Sequence, residues 1–155
     1  VGVYAMQVAM TEAIKTNLSV EEADAIFGRP MGIPKTGVFA LYDLIGIDLM
    51  SDVLKSFKKE LDKNDKFQKV ASNIPIIQKL IDTGYTGRKG KGGFYRINKT
   101  GQSKILEALD LKTNQYSPSK KIELKITKID LLELKPNDKS LRVISPLNIY
   151  GITPL

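Results

Sequence analysis

The strongest constraint on the fold is a series of short apolar stripes at helical spacing, each ended by glycine or proline. Apolar residues recur every three or four positions through the first seventeen residues, and a second helical segment begins at Ser19. Ser19 and Glu22 have the spacing of a capping box, in which the two side chains satisfy the first amides of a helix. This second helix is predicted to end near Phe27, because Gly28 and the proline that follows it oppose helical backbone.

Two more long helical segments follow. One is predicted from about Val38 to Ile45 and ends at Gly46. The next is predicted to begin at Asp48 or Ser51. Its expected apolar face comprises Leu49, Val53, Leu54, Phe57 and Leu61.

After a polar loop at residues 62–66, the Ile74-Pro75 step indicates another helix start, since proline is tolerated in the first helical turn. The expected buried stripe is Ile76, Ile77, Leu80 and Ile81, and Gly84 is the expected stop. Residues 94–97 are typical of a strand, 98–102 of a turn and 105–109 of a second strand. Within residues 120–135, apolar and polar residues first alternate and then pass to helical spacing, which leaves strand and helix open.

Composition narrows the function as well as the fold. The chain of 155 residues corresponds to one domain, with neither Cys nor His. Disulfides, cysteine metal sites and every histidine-based nucleophile arrangement are therefore excluded, and no metal site is expected. No apolar run approaches the length of a membrane span, and the N-terminus lacks the features of a signal peptide. We therefore expect a cytoplasmic protein, and the start at Val1 within a helix suggests a piece of a longer one.

The positive charge is concentrated in the middle of the chain. Residues 1–50 carry a net charge of −3, residues 51–104 of +8 and residues 105–155 of +2. A basic middle can attract nucleic acid, an anionic membrane or a phosphorylated ligand such as coenzyme A. It can equally be an ordinary lysine-rich solvated surface, which the scattered lysines favour.

Two glycine-rich segments stand out. Residues 28–37 hold three glycines and two prolines, which indicates either a rigid loop lining a pocket or a simple helix–helix corner. Residues 84–93 hold five glycines and three cations, but their spacing does not match a Walker A phosphate loop. They indicate either a backbone nest for an anion or a tight turn that lets backbones pack closely.

These segments resemble one family. The run Gly-Arg-Pro-Met-Gly at residues 28–32, the apolar helix after it and Asp-Leu-Ile-Gly-Ile-Asp at 43–48 are similar to the hallmark of the 3-hydroxyacyl-CoA dehydrogenase C-terminal domain. Residues 87–95 (Gly-Arg-Lys-Gly-Lys-Gly-Gly-Phe-Tyr) are similar to that family's second motif. The resemblance covers about residues 1–98. Residues 105–118 look like an extension found in long multifunctional bacterial members, and residues 99–155 are expected to hold a hairpin and an inter-domain extension.

The resemblance implies a mainly α fold: a helical domain like the C-terminal domain of 6-phosphogluconate dehydrogenase, with a small β-hairpin and an extended tail. It implies a fragment of an NAD-dependent enzyme of fatty-acid β-oxidation, whose Rossmann domain carries the catalytic His–Glu pair, Ser and Asn. The catalytic Asn would fall just before Val1, so no catalytic residue is expected in this chain. NAD is expected in the full-length enzyme but not bound to this fragment, which is expected to be inactive alone.

The resemblance implies two remaining roles for this chain. One is to close over the acyl-CoA substrate together with the missing Rossmann domain, and the other is association with another protein domain. Residues expected to line the substrate near the thioester are Arg29, Pro30, Met31 and Gly32, with Phe39 behind them. Residues expected at an interface, in a homodimer or with a second related domain, are Val38, Leu41, Tyr42 and Ile45. The same stripe is equally typical of a helix core.

Two other interpretations compete with this one. A stand-alone basic module that binds nucleic acid or another anionic partner rests on charge alone, without a base-stacking motif. A helical domain of another dehydrogenase, such as the 6-phosphogluconate type, is disfavoured by the Arg-Pro-Met-Gly and Gly-Phe-Tyr signatures.

Overall fold

The computed structural model describes residues 2–28, 35–71, 74–100 and 103–123. These residues form six helices followed by a small sheet. The helices are α1 (Gly2–Lys15), α2 (Val20–Ile26), α3 (Phe39–Ile45), α4 (Ile47–Glu60), α5 (Phe67–Val70) and α6 (Pro75–Asp82). The strands are β1 (Tyr95–Thr100), β2 (Ser103–Leu109) and β3 (Tyr116–Pro118). The predicted fold class, mainly α with a small β-hairpin, is confirmed.

The chain divides into two compact units, and the division falls inside α3. Of the described residues, those up to Phe39 and residues 120–123 belong to the first unit, and those between 40 and 119 belong to the second. Within the described ranges, no helix combines the length and hydropathy needed to cross a bilayer. The domain boundary expected near residue 98 stays a prediction.

The first unit is built on α1 and α2. The predicted capping box at the start of α2 is present: the Glu22 amide donates to Ser19 Oγ at 3.1 Å, and the Ser19 amide donates to Glu22 Oε2 at 2.9 Å. From the last turn of α2, Asp24 accepts a hydrogen bond at 2.7 Å from the amide of Phe39, where α3 begins. Gly37 packs so closely on this aspartate that a Cβ there would lie 2.5 Å from Asp24 Cα. The first unit therefore ends in a tight corner.

In the second unit, α4 begins earlier than predicted. It starts at Ile47, directly after Gly46, whose φ of 114° suits glycine. Ile47 and Met50 are buried, whereas Leu49, which was expected on the buried face, is 54% exposed. The prediction placed the start one to four residues late and so missed Ile47. A face that includes Ile47 turns Leu49 outward, because successive helical residues point about 100° apart.

The exposure of α4 increases toward its end. Phe57 is 40% exposed and Leu61 is 37% exposed, although both were expected to be buried. The Phe57 ring still makes an edge-to-face contact with Phe67 of α5, with centroids 5.5 Å apart. The end of α4 is therefore packed in part against the short helix α5.

Helix α6 follows its prediction closely. Pro75 occupies its first turn, and Ile76, Ile77 and Leu80 are buried, while Ile81 is half-buried. Gly84 ends the segment with a φ of 80°.

The sheet has the order β1-β2-β3 and is antiparallel throughout. The predicted hairpin is confirmed, with Ile97 opposite Leu106. The short strand β3 was not predicted, since its three residues include Pro118, which breaks the usual strand pattern. It lies at an edge of the sheet, where proline is tolerated. Residues 120–123 have no regular structure, and the rest of the undecided 120–135 segment lies outside the described residues.

Candidate functional site

The most unusual group in the second unit is the side chain of Asp43. It belongs to the short helix α3 and is only 3% exposed. Its Oδ1 accepts a hydrogen bond from the amide of Phe94 at 2.8 Å, and its Oδ2 accepts one from the amide of Tyr95 at 2.7 Å. A buried carboxylate is costly unless its oxygens are hydrogen-bonded, and these two amides meet that need. Asp43 thus ties α3 to the start of β1.

The glycines of the second motif make this contact possible. A Cβ on Gly93 would collide with Asp43 Oδ1, and a Cβ on Gly87 would collide with the backbone oxygen of Asp43. That backbone oxygen accepts a hydrogen bond from the amide of Arg88 at 2.8 Å. The amide of Ile47 donates to the Thr86 oxygen at 2.9 Å. Helix α3 of the first motif and the glycine-rich loop of the second motif are therefore joined by both side-chain and backbone contacts. We call these contacts the Asp43 clamp.

The clamp perturbs the acidity of Asp43. Burial raises the pKa of its carboxyl from its usual value to about 6. The hydrogen bonds from Tyr95 and Phe94 and the nearby positive charge of Arg88 act in the opposite direction. Desolvation therefore outweighs the interactions that favour the carboxylate.

The loop beyond the clamp is closed on itself. The Gly87 amide donates to the Gly92 oxygen at 2.8 Å, and the Gly90 amide donates to the Gly87 oxygen at 3.0 Å. A cavity of about 730 Å³ lies beside this loop, with the backbone of Gly90 and Gly92 in its wall. Its charged lining residues are Arg88, Lys91, Arg96, Lys99 and Asp43.

A second polar cluster lies on β1 and β2. Arg96 Nε donates to Glu107 Oε2, and Asn98 Nδ2 donates to Glu107 Oε1 at 3.0 Å. The Arg96 guanidinium also lies over the ring of Tyr116, 3.9 Å from its centroid. The hydrogen bonds from Asn98 and Arg96 hold the pKa of Glu107 below its usual value. These contacts give Arg96 a structural role.

Tyr116 completes this cluster. Its hydroxyl donates to the backbone oxygen of Gly93 at 2.6 Å, and its ring stacks on that of Tyr85 with centroids 5.6 Å apart. Burial raises the pKa of the Tyr116 hydroxyl, so it stays protonated as a donor at neutral pH. Within the described part of the chain, no three acidic side chains are grouped so that they can hold a metal ion.

Comparison with known proteins decides the family. The sequence profile described as "3-hydroxyacyl-CoA dehydrogenase, C-terminal domain" matches residues 2–97, which include both motifs joined by the Asp43 clamp. The chain belongs to this family.

The chain spans less than a fifth of the length of the fatty-acid oxidation and dehydrogenase relatives that it matches. It is 35% identical over 132 residues to a Rickettsia prowazekii protein named "Putative fatty acid oxidation complex trifunctional enzyme" and 36% identical over 132 residues to its Rickettsia felis namesake. Each match covers 85% of this chain and 18% of the relative. It is also 29% identical over 124 residues to a Bacillus subtilis protein named "Probable 3-hydroxyacyl-CoA dehydrogenase", covering 79% of this chain and 15% of that protein. No solved structure matches the chain.

For this 3-hydroxyacyl-CoA dehydrogenase C-terminal domain, only part of the expected substrate-lining set can be located. Arg29, Pro30, Met31 and Gly32 lie outside the described residues. Phe39 is fully buried, and its amide is engaged by Asp24.

The expected interface residues divide into two groups. Val38 and Tyr42 are buried within the chain, and the Tyr42 ring makes an edge-to-face contact with Phe94 at 6.4 Å. Leu41 and Ile45 are half-buried. Leu44, which was not singled out, is 48% exposed. The assignment of this helix to an interface stays a prediction, and Leu41 and Leu44 are the members of α3 best placed to test it.

Sequence reasoning missed the role of Asp43, although both of its motifs were recognised. The available signal was a single acidic residue inside the otherwise apolar helix Phe-Ala-Leu-Tyr-Asp-Leu-Ile of residues 39–45. A buried charge in such a position requires partners, and the glycine-rich segment was the other unexplained feature. For the glycine-rich segment of residues 84–93, the structure shows a tight turn that lets backbones pack closely. For the first segment, residues 29–34 lie outside the described residues, and the choice between a pocket-lining loop and a helix–helix corner stays open.

Proposed function

We propose that this chain is the helical part of an NAD-dependent 3-hydroxyacyl-CoA dehydrogenase of fatty-acid β-oxidation, and that it acts in the cytoplasm by closing the substrate cleft and by association. The observation that carries the proposal is the family match over residues 2–97. The Asp43 clamp supports it, because the two family motifs contact each other directly in the second unit.

The catalytic chemistry is assigned to another part of the complete enzyme. The chain has no His, so the commonest general base has to come from elsewhere. The described strands are antiparallel, whereas dinucleotide-binding domains use parallel strands joined by helices and a Gly-x-Gly-x-x-Gly turn. That turn is missing from the sequence. The residues of this chain therefore do not fit NAD, and we place its binding in a separate Rossmann domain.

The chain's own contribution to catalysis is a fixed surface. Substrate-positioning walls raise rates by holding reactants in a productive geometry. The 29–32 segment is proposed to form that wall near the thioester of the acyl-CoA, with the buried Phe39 behind it. The contact between Asp24 and Phe39 would keep the start of α3 in place behind it.

Association is proposed to involve the exposed side of α3. A two-fold contact buries the same residues from both partners, and a shared centre at Leu41 and Leu44 would place four leucines together. Leu41→Asp and Leu44→Asp should each disfavour the pair, because two carboxylates would approach each other without a cation. Light scattering across a concentration series tests this. A wild-type chain that stays monomeric at high micromolar concentration contradicts the proposal.

A dehydrogenase assay tests where the catalytic residues lie, and two outcomes are expected. Alone, it should not oxidise NADH with acetoacetyl-CoA. Activity should require an NAD-binding domain, added as a separate protein or fused. Activity from the isolated chain, free of contaminating enzyme, would show that the catalytic residues have been assigned to the wrong part of the enzyme.

A further inference from the structure

The basic cavity of the second unit is not explained by the Asp43 clamp. Arg88 and Lys91 approach it from the glycine-rich loop, and Lys99 approaches it from β1. All three side chains are exposed, and none forms an ion pair with a carboxylate in the described part of the chain. The cavity therefore presents positive charge that no ion pair of the described residues neutralises, although the charge of Arg88 acts on the buried Asp43.

The other charged groups in the lining are already engaged. Arg96 pairs with Glu107 and stacks over Tyr116. Both oxygens of Asp43 accept backbone hydrogen bonds from the start of the sheet. An entering anion would meet the buried carboxyl group of Asp43, whose oxygens already accept hydrogen bonds. It would also meet three exposed cations, none of which forms an ion pair with a carboxylate of the described residues.

The shape of the cavity suits a small anionic group with an apolar part. Gly90 and Gly92 bring backbone without side chains to its wall, as in sites where main chain closely approaches a phosphate. Ile97 and Leu106 face each other across β1 and β2 and are 60% and 51% exposed. The volume of about 730 Å³ lies within the range of small-molecule sites.

We propose that this cavity binds a phosphate-bearing ligand, with the phosphates held by Arg88, Lys91 and Lys99 and an apolar portion lying on Ile97 and Leu106. A coenzyme A thioester has this chemistry, and in that form the inference rests on the proposed function. The phosphate site itself does not.

The test uses inorganic pyrophosphate as the probe and isothermal titration calorimetry as the measurement. The Lys91→Gln/Lys99→Gln double variant should weaken binding by about tenfold or more, since each charge-assisted contact contributes appreciably. Its matched control is Lys58→Gln/Lys69→Gln, which removes the same charge from exposed lysines on α4 and α5 of the same unit. The control should bind like the wild type.

Equal weakening in both double variants would show a non-specific attraction to the basic surface and overturn the site. Undetectable binding of pyrophosphate by the wild type at low salt would also overturn it. Lys91 Nζ donates to the Thr83 oxygen at 3.3 Å, so the double variant has a possible folding cost. Lys99→Gln alone avoids that cost, because it leaves the loop contacts intact, and it should still weaken pyrophosphate binding relative to Lys58→Gln.

Octanoyl-CoA serves as the second probe. Ile97→Ser should weaken octanoyl-CoA binding while leaving pyrophosphate binding unchanged, because it alters the apolar wall and no cation. Pyrophosphate binding without dehydrogenase activity in the complete enzyme would leave the phosphate site standing and reject the proposed function. Dehydrogenase activity without pyrophosphate binding would support the proposed function and reject the phosphate site. If Ile97→Ser leaves octanoyl-CoA binding unchanged, the apolar part of the proposal is wrong.

Discussion

Asp43 Oδ2 accepts a hydrogen bond at 2.7 Å from the amide of Tyr95, a residue 52 positions later in the chain. Its other oxygen accepts from the neighbouring amide of Phe94. One buried carboxylate therefore sets where the sheet begins relative to α3. The glycines of the loop between them are required because side chains there would occupy the space of Asp43.

The first prediction concerns Gly93. Gly93→Ala should lower the free energy of unfolding by about 1–3 kcal/mol, the usual cost of overpacking, because the added Cβ collides with Asp43 Oδ1. Thermal denaturation followed by circular dichroism measures the loss. Gly2→Ala is the control, since a Cβ at Gly2 in α1 meets nothing within 4 Å. Equal melting temperatures for the two variants would contradict the clamp.

The second prediction concerns pH. The pKa of Asp43 is about 6 in the folded chain, above its value in the unfolded chain, so the folded state binds this proton more readily. The resulting stabilisation is fully present below about pH 4 and is lost as the pH rises through 6. Over that interval the contribution falls by about 3 kcal/mol, at about 1.4 kcal/mol for each pKa unit.

Asp43→Asn isolates this contribution, because other carboxylates titrate equally in both proteins. Urea denaturation at a series of pH values should show the stability of the wild type, relative to Asp43→Asn, decreasing from pH 4 to pH 7. A difference that stays constant or increases over this range would show that burial does not dominate the acidity of Asp43.

The third prediction concerns Tyr116. Tyr116→Phe removes the hydrogen bond to the Gly93 oxygen while keeping the ring against Arg96 and Tyr85. The free energy of unfolding should fall by about 1 kcal/mol, the typical net value of one such bond. Tyr85→Phe is the comparison, because its hydroxyl accepts only a longer hydrogen bond of 3.3 Å from Arg96. Urea denaturation should show the larger loss for Tyr116→Phe, and the reverse order would refute this account of the cluster.

The fourth prediction separates the two faces of α4. Leu49→Lys should leave the melting temperature nearly unchanged, because Leu49 is 54% exposed. Met50→Lys should destabilise the chain strongly, because Met50 is 3% exposed and a buried, unpaired ammonium group is costly. Equal melting temperatures would contradict the observed difference in burial, and a lower melting temperature for Leu49→Lys than for Met50→Lys would favour the apolar face predicted from sequence.

The local parts of this fold were predictable. The Ser19–Glu22 capping box, the proline start of α6 and the paired strands at 95–109 each depend on residues close together in sequence. The error at α4 also has a local cause, because Gly46 permits a helix to start immediately after it and Asp48 is simply an exposed residue of the first turn.

The long-range contacts were not predictable in the same way. The pattern of residues 39–45 does not say which amides Asp43 accepts from, since three helices and their connecting loops lie between Asp43 and the Phe94–Tyr95 pair. Likewise, the charges of Arg88, Lys91 and Lys99 are visible in the sequence, but the cavity that they share exists only once the loop and β1 are brought together.

The central claim is most directly tested by replacing the matching 132-residue segment of the Rickettsia prowazekii relative with the corresponding part of this chain. The measurement is NAD reduction with a 3-hydroxyacyl-CoA substrate, with the unmodified relative as the positive control. We expect the chimera to be active and its Gly93→Ala variant to be much less active. A chimera that folds and binds NAD but shows no dehydrogenase activity, beside an active parent, would contradict the proposed function.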